Sequence, residues 1–112
     1  MKLYHYETVG GKDLIMDYIR KLSKPEKADG LSVLEKLEEE RFDELTIKTW
    51  RGKILEVYFY KHNRIFYVIV EDTNAYLLHA YRKQKNETEN TDSDLIIARA
   101  KRLGEKLSKN FI

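Results

Sequence analysis

After Trp50 the hydrophobic period of the chain changes from about 3.6 residues to about 2, and this change constrains the fold more than any other feature. Three runs, "KILEVYFY" (Lys53–Tyr60), "RIFYVIV" (Arg64–Val70) and "AYLLHAYR" (Ala75–Arg82), are aromatic and β-branched throughout, and only "KHN" and "EDTN" separate them. Side chains of this kind fit a pleated surface, and turns this short join antiparallel neighbours. The segment therefore reads as a three-stranded antiparallel meander.

Upstream of the meander the pattern is largely helical. "KLYHYET" (Lys2–Thr8) alternates as a half-buried strand does, and Gly10-Gly11 ends it. Leu14, Ile15, Tyr18 and Leu22 then recur at helical spacing between Lys12 and Leu22, and "SKPEK" closes that helix while setting Pro25 in the first turn of the next. The second helix is expected from Glu26 to Phe42, with Leu31, Leu34 and Leu37 as its apolar stripe and with Gly30 costing ~1 kcal/mol relative to Ala. Beyond the meander, "KQKNETENTDSD" reads as a loop. Asp92 or Ser93 is a suitable N-cap for a last helix through Ser108 that carries Ile96, Ala100, Leu103 and Leu107 on one side. The order β-α-α-β-β-β-α implies an α+β fold, a small antiparallel sheet with helices packed on one face, in a single domain over residues 1–112.

The composition is that of a globular chain. Apolar residues make up 42% and charged residues 36%, and the apolar runs fall well short of the ~20 residues needed to span a bilayer. "MKLYHYETVGG" lacks a signal peptide's apolar core, and with no cysteine the chain forms neither disulfides nor thiolate metal sites, so a cytoplasmic location is expected. A net charge of +2 does not argue for nucleic acid by itself, but its placement is uneven. Glu26 to Glu44 is acidic, opposed only by Lys27, Lys36 and Arg41, whereas Lys48 to Asn86 is basic, opposed only by Glu56, Glu71 and Asp72. One half attracts anions and the other repels them.

Strand alternation sorts the polar candidates onto faces. Leu55, Val57 and Phe59 share a side, leaving Glu56, Tyr58 and Tyr60 on the other; in the last run His79, Tyr81 and Lys83 fall with Leu77, opposite Leu78, Ala80 and Arg82. Cations beside aromatic rings suit single-stranded RNA, because cations meet phosphates, rings stack on splayed bases and the 2′-hydroxyl is an internal nucleophile. Metal-free cleavage then needs a base, a cation for the phosphorane and an acid for the leaving oxygen. His79, Glu56 or Tyr81 could exchange protons, and Arg51, Lys53, Arg64, Lys83 and Lys85 could bear the charge. The same residues also have structural readings: a hydrogen-bonded imidazole at His79, strand-forming tyrosines at Tyr58, Tyr60 and Tyr81, and a charged sheet edge at Lys53, Lys83 and Lys85. His5 and His62 show no ligand spacing with His79, so neither a metal nor a cofactor is expected. Glycine-rich phosphate loops and G-x-S-x-G elbows are absent from the sequence.

Taken together, "WRGKILEVYFYKHNRIFYVIV" and "AYLLHAYRKQKNET" resemble the RelE/HigB toxin superfamily, particularly its phage-derived HigB-like branch. Leu55-Glu56-Val57 matches that branch's "lyElR" strand, Arg64-Ile65-Phe66-Tyr67 its "yRilY" strand, and Leu77-Leu78-His79-Ala80-Tyr81 with Lys83 and Lys85 its "llHgFvKKtqktP" segment. The resemblance covers roughly Trp50 to Leu107 and implies a RelE-like fold and the toxin of a type II toxin–antitoxin system. Such a toxin is a ribosome-dependent endoribonuclease that cuts mRNA in the A site and is neutralised by a cognate antitoxin, expected to be a HigA-like helix-turn-helix protein. It would place Arg51, Lys53, Glu56, Arg64, His79 and Tyr81 in catalysis and Lys48, Tyr58, Arg82, Lys83 and Lys85 on the RNA. Tyr58 stands where the pattern has arginine, and Glu87-Thr88-Glu89 replaces its "tP"; with the cation lost at Tyr58, either Arg51 or Arg64 takes its place or activity is reduced. Two alternatives share the fold: a ParE-like toxin that inhibits gyrase and a non-catalytic phage regulatory module.

Overall fold

The computed structural model of the chain describes residues 1–83 and 90–112; Lys85 and Glu87-Thr88-Glu89 lie outside the described residues. Its elements are β1 (Lys2–His5), α1 (Leu14–Arg20), α2 (Lys24–Glu38), a 3-10 turn (Phe42–Glu44), β2 (Thr46–Arg51), β3 (Ile54–Phe59), β4 (Asn63–Val70), β5 (Asn74–Arg82) and α3 (Asn90–Leu107). All the strands join one sheet in the order β1-β5-β4-β3-β2. β2 through β5 are antiparallel to their neighbours, and β1 lies parallel to β5 on the far edge.

The α+β class and the expected order of elements hold, with β2 added. Its run "TIKTWR" has only Ile47 and Trp50 partly buried, as suits an edge strand, and so lacks the dense apolar signal of the meander. The helices start where short-range chemistry sets them. Asp13 caps α1, its carboxylate accepting the N–H groups of Ile15 and Met16 at 3.0 Å, and Pro25 sits in the first turn of α2 as expected. Gly30 also has its reason: a Cβ there would stand 3.0 Å from the Phe59 ring, so glycine lets α2 lie close against β3.

The helices do not share one face of the sheet. α1 and α2 cover Val57, Phe59, Ile65, Tyr67, Ala75 and Leu77, while α3 covers Ile54, Phe66, Val68, Val70 and Leu78 on the opposite side. β4 already carries this information, since "RIFYVIV" is apolar on both faces, as a strand covered twice must be.

A bulge sets the side-chain directions of β5. Phe66 pairs with His79, but the next residue, Tyr67, pairs with Leu77, so Leu78 is an extra residue in the strand. Leu77 consequently faces α1 and α2, whereas Leu78, His79 and Tyr81 face α3. Strict alternation had grouped Leu77 with His79 and Tyr81.

The chain end is pinned at the β2–β3 hairpin. Lys53 N–H donates to the Phe111 carbonyl at 2.8 Å, and the Phe111 side chain is buried in the α3-side core. Gly52, with φ +55°, turns beneath this segment, and a Cβ there would lie 2.5 Å from the Phe111 oxygen. Gly52→Ala is therefore expected to lower unfolding free energy by more than ~1 kcal/mol, since it combines left-handed strain with a backbone clash. Urea denaturation checks this; an unchanged midpoint would contradict the close approach.

Candidate active site

Sheet register assembles the site. Thr46, Tyr58, Arg64 and Tyr81 are successive partners across β2, β3, β4 and β5, and Lys48, Glu56, Phe66 and His79 form the adjacent row. Both rows lie on the α3 side. Six residues expected at the site, Lys48, Glu56, Tyr58, Arg64, His79 and Tyr81, thus meet on one face although they come from four strands.

Tyr58 is the hub of the outer part. The Arg64 guanidinium lies 3.7 Å from its ring centre and the Lys48 ammonium 5.2 Å, while its hydroxyl donates to Glu56 Oε1 at 3.1 Å. Arg64 Nη1 is steadied by the carbonyls of Lys61 and Asn63. Among the described residues, Glu56 Oε2 and Arg64 Nε are buried without hydrogen-bond partners. Buried polar atoms normally find partners, so this acceptor and donor mark where a ligand's polar atoms would fit. Behind them runs a strip of rings, Trp50 to Phe66 at 5.4 Å, Phe66 to Tyr81 at 5.9 Å and Tyr81 to His79 at 5.8 Å.

His79 is held at both nitrogens. Nε2 lies 2.7 Å from Asp92 Oδ1, and Nδ1 lies 3.0 Å from Nη1 of Arg99, which also donates to the Leu78 carbonyl at 2.9 Å. A guanidinium only donates, so Nδ1 must accept, and Nε2 carries the hydrogen and donates to Asp92. Burial lowers the His79 pKa from its ordinary 6.5; the Asp92 hydrogen bond opposes this and the Arg99 charge adds to it, leaving a net decrease. The imidazole is a neutral, committed link between β5 and α3. Asp92 stands in the first turn of α3, which begins at Asn90, rather than at the N-cap position the sequence suggested.

Other expected site residues lie elsewhere. Arg51 stacks on Trp50 at the end of β2, and Lys53 is exposed in the turn of the β2–β3 hairpin. Arg82 points to the opposite face, where its guanidinium donates to both oxygens of Glu26 at 2.6 Å, beside a bond from Tyr18 to Asn63. Lys83 follows β5, and its N–H donates to the His62 carbonyl. His5 pairs with Asp13, and no three His, Asp or Glu side chains converge as metal ligands among the described residues. Sequence reasoning missed Arg99 and the linking role of Asp92. The available signal was that the two lie two turns apart on the core-facing stripe that includes Ile96, where unpaired charge is costly.

Compared with known protein families, residues 17–101 match the family described as Phage derived protein Gp49-like (DUF891). That span is most of the chain, which therefore belongs to this family. The family is one of RelE/HigB-like toxins, associated with endoribonucleases and with toxin–antitoxin pairing. No curated protein matches the chain. No helix among the described residues is long and apolar enough to cross a membrane.

The His79 geometry has a pH consequence. With its folded pKa depressed, the unfolded chain binds the additional proton between the two values, so stability rises with pH there. The contribution is fully present above ~6.5, the unfolded value, and is lost as pH falls through the folded value. Nitrogen NMR should show the Nε2–H tautomer titrating below the ordinary range, and His79→Gln should flatten the acid-side fall in urea midpoint. A His79 that titrates above the ordinary value would contradict the bonding assigned to Arg99.

Proposed function

We propose that the chain is the toxin of a type II toxin–antitoxin system, a ribosome-dependent mRNA endoribonuclease of the HigB-like branch. The observation that carries this reading is the pair of cross-strand rows: Arg64 between Tyr58 and Tyr81, next to the carboxylate of Glu56, which has one oxygen uncommitted among the described residues. In an A-site codon, Glu56 Oε2 takes the proton of the 2′-hydroxyl. The 2′-oxygen bonds to phosphorus, the bond from phosphorus to the 5′-oxygen breaks, and Tyr81 protonates the leaving oxygen. The products are a 2′,3′-cyclic phosphate and a 5′-hydroxyl. Arg64 and Lys48 stabilise the phosphorane's charge, and Tyr58 offers a ring to a splayed base. Every proton in this step moves between side chains and substrate.

His79 differs from the role expected of it. With both nitrogens committed, it positions Tyr81 rather than exchanging a proton, and Glu56 becomes the base. Arg64 takes the place of the cation missing at Tyr58. Arg51, Lys53, Lys83 and Lys85 then serve as outer contacts to ribosomal or messenger phosphates. A HigA-like antitoxin neutralises the toxin in the bacterial cytoplasm, its acidic groups complementing these cations.

Inducing the chain alone should arrest growth and cut transcripts at codon-spaced sites. In single-turnover cleavage on programmed ribosomes, Glu56→Gln should slow cutting by roughly 10²–10⁴-fold and Arg64→Ala by about 10²–10³-fold, with folding retained. Intact transcripts during full arrest would rule out the nuclease, and normal cutting by Glu56→Gln would remove it as the base.

A further inference from the structure

A second cationic and aromatic surface lies at the opposite edge of the sheet, away from the Tyr58–Arg64 rows. Between β1 and α3 runs a groove of about 390 Å³ lined by Tyr4, Tyr6, Tyr76, Arg99, Arg102 and Lys106. Tyr4 stacks on its register partner Tyr76 with ring centres 4.6 Å apart, and Lys2 Nζ covers the Tyr4 ring at 5.0 Å. On the helix side, Arg99 lies 4.3 Å from the Tyr6 ring centre, and Arg102 reaches the Tyr6 hydroxyl at 3.4 Å.

Part of the chain's positive charge is spent on ion pairs. Lys12, Lys21, Arg41 and Arg82 are each neutralised by a carboxylate. Among the described residues, Lys2, Arg99, Arg102 and Lys106 make no ion pair; ring faces and a phenol hold three of them, orienting the charge without cancelling it. Among the described residues, Glu7 is the only acid lining the groove. Arg99, Arg102 and Lys106 follow helical spacing along one side of α3, a row roughly 10 Å long at ~1.5 Å per residue, and Lys2 adds a cation over the Tyr4 ring. A line of unneutralised cations flanked by rings matches a polyanion whose repeating phosphates alternate with flat bases.

We propose that the groove between β1 and α3 is a second nucleic-acid surface that takes a single-stranded RNA backbone, with phosphates on Lys2, Arg102 and Lys106 and a base against the Tyr4–Tyr76 pair. The choice of RNA rests on the function proposed for the sheet face; the groove's preference for a polyanion rests on its own geometry. It holds RNA without cutting it, leaving chemistry to Arg64 and Glu56.

The test uses the full chain and a fluorescein-labelled oligouridylate, with affinity measured across a salt series. Arg102→Ala with Lys106→Ala removes two exposed cations and should make the salt slope shallower by about 1.4, at ~0.7 per single-strand phosphate contact, with an unchanged thermal melt. Tyr4→Leu should weaken binding while leaving that slope in place. Arg64→Ala provides the separation: it should slow ribosomal cutting by about 10²–10³-fold while the groove's share of the salt slope persists. If the double variant binds with the parent's affinity and slope, the groove is not an RNA surface, whatever happens to cutting. Failure of the parent to bind oligouridylate also overturns the proposal and leaves a protein partner as the groove's occupant. If cutting is absent but the slope change is seen, the groove stands and the nuclease reading falls.

Discussion

The extra residue at Leu78 is the constraint on which the remainder of the arrangement depends. One inserted position in β5 sends Leu77 into the core under α1 and α2, and turns Leu78, His79 and Tyr81 toward α3. A bulge leaves its extra residue out of the ladder, with a carbonyl that needs another partner. Arg99 meets that need by donating one nitrogen to both the Leu78 carbonyl and His79, and Asp92 completes the clasp from the first turn of the same helix. Two side chains of α3 therefore fix the position of Tyr81 opposite Arg64. Without the bulge, a β5 held in the register of Tyr67 with Leu77 would put His79 and Tyr81 on the face opposite Arg64.

The molecule separates two kinds of arginine by neutralising one and sparing the other. Arg82 closes on Glu26, a carboxylate almost entirely buried, and ties the end of β5 to α2. Its charge is used up in the fold. Arg64 has no carboxylate partner among the described residues; the Tyr58 ring and two backbone carbonyls hold it. A guanidinium held by rings and carbonyls stays cationic and stays in place, and that combination is what stabilises charge developing in a transition state.

Much of this was legible in the sequence because the period of hydrophobicity is a local property. The meander and the three helices followed from runs such as "KILEVYFY", and the shared side of Glu56 and Tyr58 followed from alternation within β3. Three features were not legible, each for a physical reason. β2 is an edge strand whose single burying contacts, Ile47 and Trp50, fall on opposite faces and give no periodic signal. The bulge at Leu78 leaves no mark in a strand where Leu77 and Leu78 are equally apolar. Arg99 and Asp92 gain their meaning only when α3 docks, a non-local event that no window along the chain contains. The bonds of Arg82 and His79 were hidden for the same cause, since Glu26, Asp92 and Arg99 all reach them from distant elements.

The most direct measurement is the structure of the chain on a programmed ribosome whose A-site codon carries a 2′-O-methyl group, which blocks attack and holds the substrate. The phosphate after the methylated ribose should lie within hydrogen-bond reach of Arg64, with Glu56 beside the 2′-oxygen, Tyr58 against a base and the Arg82–Glu26 pair intact on the far side. A scissile phosphate seated against α1 and α2, or one out of reach of Arg64 altogether, would contradict the assignment of this face.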